Sequence, residues 1–214
     1  MAARVAVIYY SATGGTYRLA DAVAEGARSA GAEVVLRKVR ELAPEEAIAS
    51  NQGWSDHRRE TQAVLEATLE DLERADAIAF GTPTRYGAAA AQLKQFIDTT
   101  GGLWAQGKLV NKVVTAFTSA ATAHGGHETT LASLYNTFHH WGAIVVAPGY
   151  ADPVQFQSGN PYGASFTSAN GTLPPDEAAL ASARFQGRRL AEVTQQYLAG
   201  AAAAAAAAFE PAGR

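Results

Sequence analysis

Ser11, Thr13 and Thr16 set three hydroxyls around Gly14 and Gly15, directly after a short apolar run over residues 5–10. Residues 11–16 contain no Lys or Arg, so the donors here are neutral hydroxyls and main-chain amides. A helical pattern begins at once, with Leu19, Ala20, Val23, Ala24 and Ala27 apolar at spacings of three and four. A strand turning into a helix N-terminus aims free N–H groups at one point, and the helix dipole favours an anion there. Ser11, Ala12, Thr13, Gly14, Gly15 and Thr16 are therefore read as the seat of a phosphate group. The loop is not a Walker A loop, because no Gly-Lys-Ser/Thr occurs, and the chain has no G-x-G-x-x-G dinucleotide fingerprint.

The elements that must hold this loop follow from the apolar pattern. Strands are expected over residues 5–10, 34–39, 77–80, 113–117 and 143–147, and helices over 16–29, 61–74, 89–98, 127–141 and 176–199. Short, nearly all-apolar strands that alternate with helices form a parallel sheet covered on both faces. The expected fold is a doubly wound α/β domain with a five-stranded parallel sheet. Ligands in such folds sit at the carboxyl edge of the strands. Three strand exits on that edge are rich in glycine and hydroxyls: the loop at Ser11, residues 81–87, and residues 118–126.

Those exits suggest what the phosphate carries. Pro83, Thr84, Arg85, Tyr86 and Gly87 supply an aromatic ring, a cation and a glycine that lets backbone approach. Ser119, Ala120, Ala121, Thr122, Ala123, His124 and Gly125 form the third exit. A flat heteroaromatic near Tyr86 joined to a phosphate at Ser11–Thr16 matches flavin mononucleotide (FMN). His124 and His127 lie on a loop with no supporting Cys or Asp, so no metal site is assigned. Residues 148–175, a long loop rich in Gly, Pro, Asn and Ser, are read as functional or mobile, and residues 41–60 as irregular.

Composition bounds the function further. The 214 residues suit one domain over 1–200, followed by a low-complexity alanine-rich tail over 201–214. Seventeen basic and twenty acidic residues leave a net charge of −3 with no basic stripe, so nucleic acid is not an expected partner. The absence of cysteine excludes disulfides and thiol chemistry. No apolar stretch suits a membrane span and no signal-peptide pattern opens the chain, which makes a cytoplasmic protein the expectation.

Four segments then carry a specific resemblance: Tyr9-Tyr10-Ser11, Gly81-Thr82-Pro83-Thr84-Arg85-Tyr86-Gly87, Asp98-Thr99-Thr100-Gly101-Gly102-Leu103-Trp104 and Gly125-Gly126-His127-Glu128-Thr129-Thr130. Over residues 4–198 the chain resembles the tryptophan-repressor-binding-protein (WrbA) family of NAD(P)H:quinone oxidoreductases. The resemblance implies a flavodoxin-like fold and FMN as cofactor. It further implies NADH or NADPH as reductant, two-electron reduction of quinones, and a homotetramer whose sites are completed by neighbouring subunits. By position, residues 11–16 would take the phosphate, Thr84 to Tyr86 would line the flavin ring, and residues 119–125 would wrap its other side. His140 would approach the ring, and Trp104 would shape the quinone site. The first loop departs from the family pattern Ser-x-Tyr-Gly-His, since Thr13 stands at the Tyr and Gly15 at the His, which leaves NADH against NADPH open.

Two rival functions share the fold: a flavodoxin-type one-electron carrier and a regulatory binding module without redox work. A phosphoacceptor receiver domain is excluded because the ends of strands 1 and 3 carry no acidic residues. A serine hydrolase is excluded because the chain lacks a G-x-S-x-G elbow.

Overall fold

The computed structural model describes residues 2–209. In chain order its elements are β1 (Arg4–Tyr9), α1 (Gly15–Ser29), β2 (Glu33–Lys38), α2 (Glu45–Ala49), α3 (Gln52–Glu60), α4 (Leu69–Arg74), β3 (Ala77–Arg85) and β4 (Ala88–Ala89). There follow α5 (Ala91–Asp98), α6 (Gly101–Ala105), β5 (Val113–Ala120), α7 (His127–Trp141), β6 (Ile144–Val145), α8 (Val154–Ser158), β7 (Ser165–Thr167) and α9 (Glu177–Phe209).

The central strands run in the order β2-β1-β3-β5-β6, and each neighbouring pair is parallel. This is the doubly wound arrangement expected from the alternating pattern, with its switch point between β1 and β3. Alternate residues of β1 feed opposite layers, as a period of two requires. Val5, Val7 and Tyr9 pack with α1 and α9 through Leu19, Val23 and Leu190. Ala6, Ile8 and Tyr10 pack with α4, α5 and α7 through Leu72, Leu93 and Phe138. Each fully buried Leu, Ile or Phe contributes about 1.5–3 kcal/mol of apolar burial.

One helix contact positions the site directly. A Cβ on Gly26 of α1 would lie 1.9 Å from the Arg184 carbonyl, and a Cβ on Gly187 of α9 would lie 1.9 Å from the Val23 carbonyl. The two helices cross backbone to backbone, which only glycine permits.

Several boundaries differ from the sequence expectation. The expected helix over 61–74 begins only at Leu69, because the preceding residues run beside β2: Lys38 N–H donates to Leu65 O at 3.2 Å and Ala67 N–H to Lys38 O at 2.8 Å. The stretch over 41–60 contains α2 and α3. β3 continues to Arg85 rather than ending at residue 80, and Ala88–Ala89 folds back on it as an antiparallel pair. The fifth strand is divided, with β6 covering Val113–Val114 of β5 and β7 covering Thr118–Ala120. The long loop over 148–175 thus holds α8 and β7. Helix α9 runs through the position chosen as the tail boundary, and residues 210–214 of the expected tail lie outside the described residues.

Candidate functional site

The first loop begins with Ser11, whose Oγ accepts the Gly14 N–H at 3.1 Å. Gly14 is the N-cap of α1 at φ 92°, in the left-handed region, and no side chain caps the helix. The first amides of α1 are therefore available to a ligand, and no acidic residue stands in the first turn to repel an anion. Thr16 and Ser119 are buried, and their hydroxyls are 2.9 Å apart, tying the first exit to the third.

The second exit is a hairpin whose two loop residues, Tyr86 (φ 54°) and Gly87 (φ 80°), both have positive φ. A two-residue type I′ loop requires this, but Asn or Asp is the usual residue where Tyr86 stands. A non-glycine residue in this region costs about 1–3 kcal/mol, and such strain concentrates at ligand clamps. The turn is braced: Thr84 Oγ1 accepts Gly87 N–H at 3.1 Å and the Thr130 hydroxyl at 2.6 Å. The Tyr86 ring is left fully exposed, at 106%.

These exits surround a cleft of about 710 Å³, well inside the range of small-molecule sites. Ala12, Thr13, Gly15 and Thr16 form its floor, Pro83 to Tyr86 one wall, and Ser119, Ala120, Ala121 and Gly125 another. Ser11, Gly14 and Gly87 shape the turns without lining it. Thr122, Ala123 and His124 lie outside it on an exposed stretch of the third loop.

Trp104 and His140 are not in this cleft. Helix α7 starts beside the third exit and runs 15 residues back to the opposite sheet edge, roughly 22 Å at 1.5 Å per residue. Trp104 lies there too, 56% exposed, with its indole N–H donating to the His140 carbonyl at 3.0 Å. Trp141, next to His140, is a core residue packed on Phe80 and Phe138. Among the described residues no group of three or more His, Asp or Glu is placed to hold a metal ion, and no helix is long and apolar enough to cross a membrane.

The cleft also contains residues that sequence reasoning missed. Arg18, one turn into α1, adds a cation at its rim. Asn51 and Trp54 enter from α3, and Phe166, Ser168 and Asn170 to Pro174 from the divided fifth strand and the loop after it. Trp54 is fixed by Glu41, a half-buried carboxylate. Glu41 accepts the Trp54 indole N–H at 3.1 Å, the Tyr10 hydroxyl at 3.0 Å, Gln92 at 2.8 Å and two backbone amides at 2.9 Å. Burial alone would raise the Glu41 pKa, but the Ala43 amide, Gln92, the Tyr10 hydroxyl and the Leu42 amide outweigh it and hold the carboxyl below its ordinary value. Burial first, and then the neighbouring Glu41 charge, push the Tyr10 phenol well above its ordinary value.

A floor of neutral donors, a strained aromatic turn and a hydroxyl-bearing loop on one sheet edge have a counterpart among known proteins. The family model for NADPH-dependent FMN reductases matches residues 3–155. The chain belongs to the NADPH-dependent FMN reductase family. Relatives of the chain include a NAD(P)H dehydrogenase (quinone) of Deinococcus radiodurans, 51% identical over 196 residues that cover 91% of this chain and 97% of the relative. Another, from Sinorhizobium fredii, is 48% identical over 197 residues, covering 89% and 96%. Among solved structures, a flavodoxin, WrbA-like protein from Agrobacterium tumefaciens has a TM-score of 0.65 at 28% identity, covering 91% of this chain and 99% of that one. An archaeal flavodoxin has a TM-score of 0.60 at 19% identity, covering 90% and 99%, which shows the shared flavodoxin-like fold. FMN, the cofactor of the FMN reductase family, fits this cleft. Uncapped α1 amides and the Thr13 and Thr16 hydroxyls suit its phosphate, and the two loop walls leave a slot for a flat ring.

Proposed function

We propose that the protein is an FMN-dependent NAD(P)H:quinone oxidoreductase that reduces quinones to hydroquinones by two electrons. The observation that carries this reading is the convergence of the Thr13–Thr16 floor, the Tyr86 turn and the Ser119–Ala121 wall on one cleft at the carboxyl sheet edge. Bound FMN would supply the two-electron chemistry, taking a hydride from NAD(P)H and delivering both electrons to the quinone. The chain's residues bind and orient. Thr13, Thr16 and the first α1 amides hold the phosphate, Thr84 to Tyr86 flank the ring, and Trp54 closes one side against water.

Trp104 and His140 would serve a neighbouring copy of the chain. Their exposure at the far sheet edge supports this, as does the half-exposed Val110 beside them, and it fits a homotetramer. A cytoplasmic location goes with a nicotinamide reductant. With one cleft at the carboxyl sheet edge among the described residues and no dinucleotide fingerprint in the chain, nicotinamide and quinone would occupy the same flavin face in turn, giving parallel double-reciprocal plots. Intersecting plots would reject the shared face.

The deciding measurement is the visible spectrum of the FMN-loaded protein. It should bleach with NADH or NADPH under anaerobic conditions and recover on adding benzoquinone. A spectrum unmoved by either nicotinamide would overturn the enzyme reading in favour of a carrier or a binding module.

A further inference from the structure

Helix α3 backs the first loop. A Cβ on Gly14 would lie 3.3 Å from His57 Nδ1, and one on Gly53 would lie 3.8 Å from Thr13 Cγ2. Between these two contacts α3 sends Trp54, half-buried, into the cleft that Ala12, Thr13 and Arg85 also line. Trp54 packs as well against the core layer that holds Tyr10, Phe80 and Leu93. Its indole has one donor and no acceptor, so a single bond decides which way the ring edge points. That bond goes to Glu41 Oε2 at 3.1 Å.

Glu41 is itself saturated. Oε2 also accepts the Tyr10 hydroxyl at 3.0 Å, and Oε1 accepts the Gln92 amide at 2.8 Å and the Leu42 and Ala43 N–H groups at 2.9 Å. These donors fill the roughly four lone-pair sites of a carboxylate, so none is left for a substrate or a migrating proton. A half-buried charge costs more to hold than apolar side chains of the same volume. What the carboxylate adds is direction for Trp54. Its other anchors show what Trp54 is aligned with. Tyr10 joins β1 to Ser11 and the first loop, and Gln92 lies in the first turn of α5, directly after the hairpin that carries Thr84 to Tyr86. Gln92 donates to the Tyr10 hydroxyl as well, at 3.0 Å. Floor and ring wall are therefore tied together at Glu41, and Trp54 stands on that tie. FMN would span the same two surfaces, and the part of it that crosses from one to the other is the ribityl chain.

We propose that Trp54 is the wall against which the ribityl chain of FMN packs, and that Glu41 is a positioning residue that holds the indole there. The inference rests on the FMN reading of the cleft and adds the residue that recognises the chain between ring and phosphate.

The test titrates the apoprotein with FMN, riboflavin and lumiflavin, an isoalloxazine without the ribityl chain, and follows flavin fluorescence. Trp54→Ala should weaken FMN and riboflavin about tenfold and leave lumiflavin unchanged. Equal weakening of lumiflavin, or an unchanged FMN dissociation constant, overturns the ribityl assignment. Glu41→Gln keeps an oxygen towards the Leu42 and Ala43 amides and turns an NH2 group towards the indole N–H, so the bond to Trp54 is lost. Trp54→Phe keeps an aromatic ring and loses the same bond, and it carries the comparison of the three flavins should the Ala variant fail to fold. Each of these two variants should weaken FMN about three- to tenfold. The double variant should be no weaker than the weaker of the two, because both remove one bond. Losses that multiply show that Glu41 does not act through Trp54 and overturn its positioning role. A wild type that binds no FMN fails the cofactor reading, whereas FMN bound equally by the wild type and every variant fails this inference alone.

Discussion

The hydroxyls of Thr16 and Ser119, 103 residues apart in the chain, meet at 2.9 Å on the floor of the cleft. This contact joins the first turn of α1 to the end of β5, so the proposed phosphate seat and the third strand exit share one anchor. Replacing Thr16 with Val removes a proposed donor to the phosphate and leaves Ser119 without its partner. A hydrogen bond to a charged group contributes about 1.5–3 kcal/mol. FMN affinity should therefore fall by about tenfold or more, read by titration of cofactor fluorescence. An unchanged dissociation constant would remove Thr16 from the site.

Trp104→Ala should separate two readouts. Its indole bonds to the His140 carbonyl at the sheet edge opposite the cleft, so the FMN dissociation constant of the isolated chain should not change. Quinone turnover should fall, because in the proposed tetramer a neighbouring copy loses an aromatic wall. Stopped-flow reoxidation by benzoquinone measures this step alone, and an equal rate in both proteins would show that Trp104 plays no part in it.

His57 predicts a pH dependence of stability. Burial, assisted by the nearby Lys38 and Arg18 charges, lowers its pKa below 6.5, and the opposing pull of Glu60 does not restore it. Tyr17 packs against its ring at 5.4 Å. Below pH 6.5 the unfolded chain binds a proton that the folded chain resists, so folded stability is complete above that value and declines as the pH falls towards the folded pKa. Urea unfolding between pH 7 and 5 should show this slope, and His57→Gln should flatten it.

Glu41→Gln places an amide where a carboxylate gathers Tyr10, Trp54, Gln92 and two backbone N–H groups. Donors then face donors, and the loss should be about 2 kcal/mol in unfolding free energy. In the wild type this stability is present above the ordinary carboxylate pKa and disappears as the pH drops through the lowered Glu41 value. Acid titration of the two proteins should show the difference shrinking in that range.

Much of this site could be read from the residues. The apolar runs located β1, β3 and β5, because strands buried on both faces carry an unbroken signal, and the topology then put three polar exits on one edge. Helix α3 was hidden because Gln52–Glu60 is mostly polar. Its one clear mark is the Asn51 cap, whose side chain accepts the Trp54 N–H at 3.1 Å. Residues 61–68 look helical by spacing, yet their backbone is used by Lys38, a tertiary demand that local pattern does not carry. Family resemblance set Trp104 and His140 near a flavin, but a helix that leaves the cleft must return to the other edge. The same chain cannot bring them back. Phe166 and the loop after it gave no spacing signal, because a divided fifth strand looks like a loop followed by three residues.

The crossing of Gly26 and Gly187 bears on how the cofactor is received. Neither position has room for a methyl group, so α1 cannot slide or roll against α9 without a backbone collision. The amides at its N-terminus are consequently aligned before any ligand arrives, and binding requires little ordering of this wall. A substitution at Gly187, in the first half of α9, would therefore disturb the proposed phosphate seat without touching a single residue assigned to it.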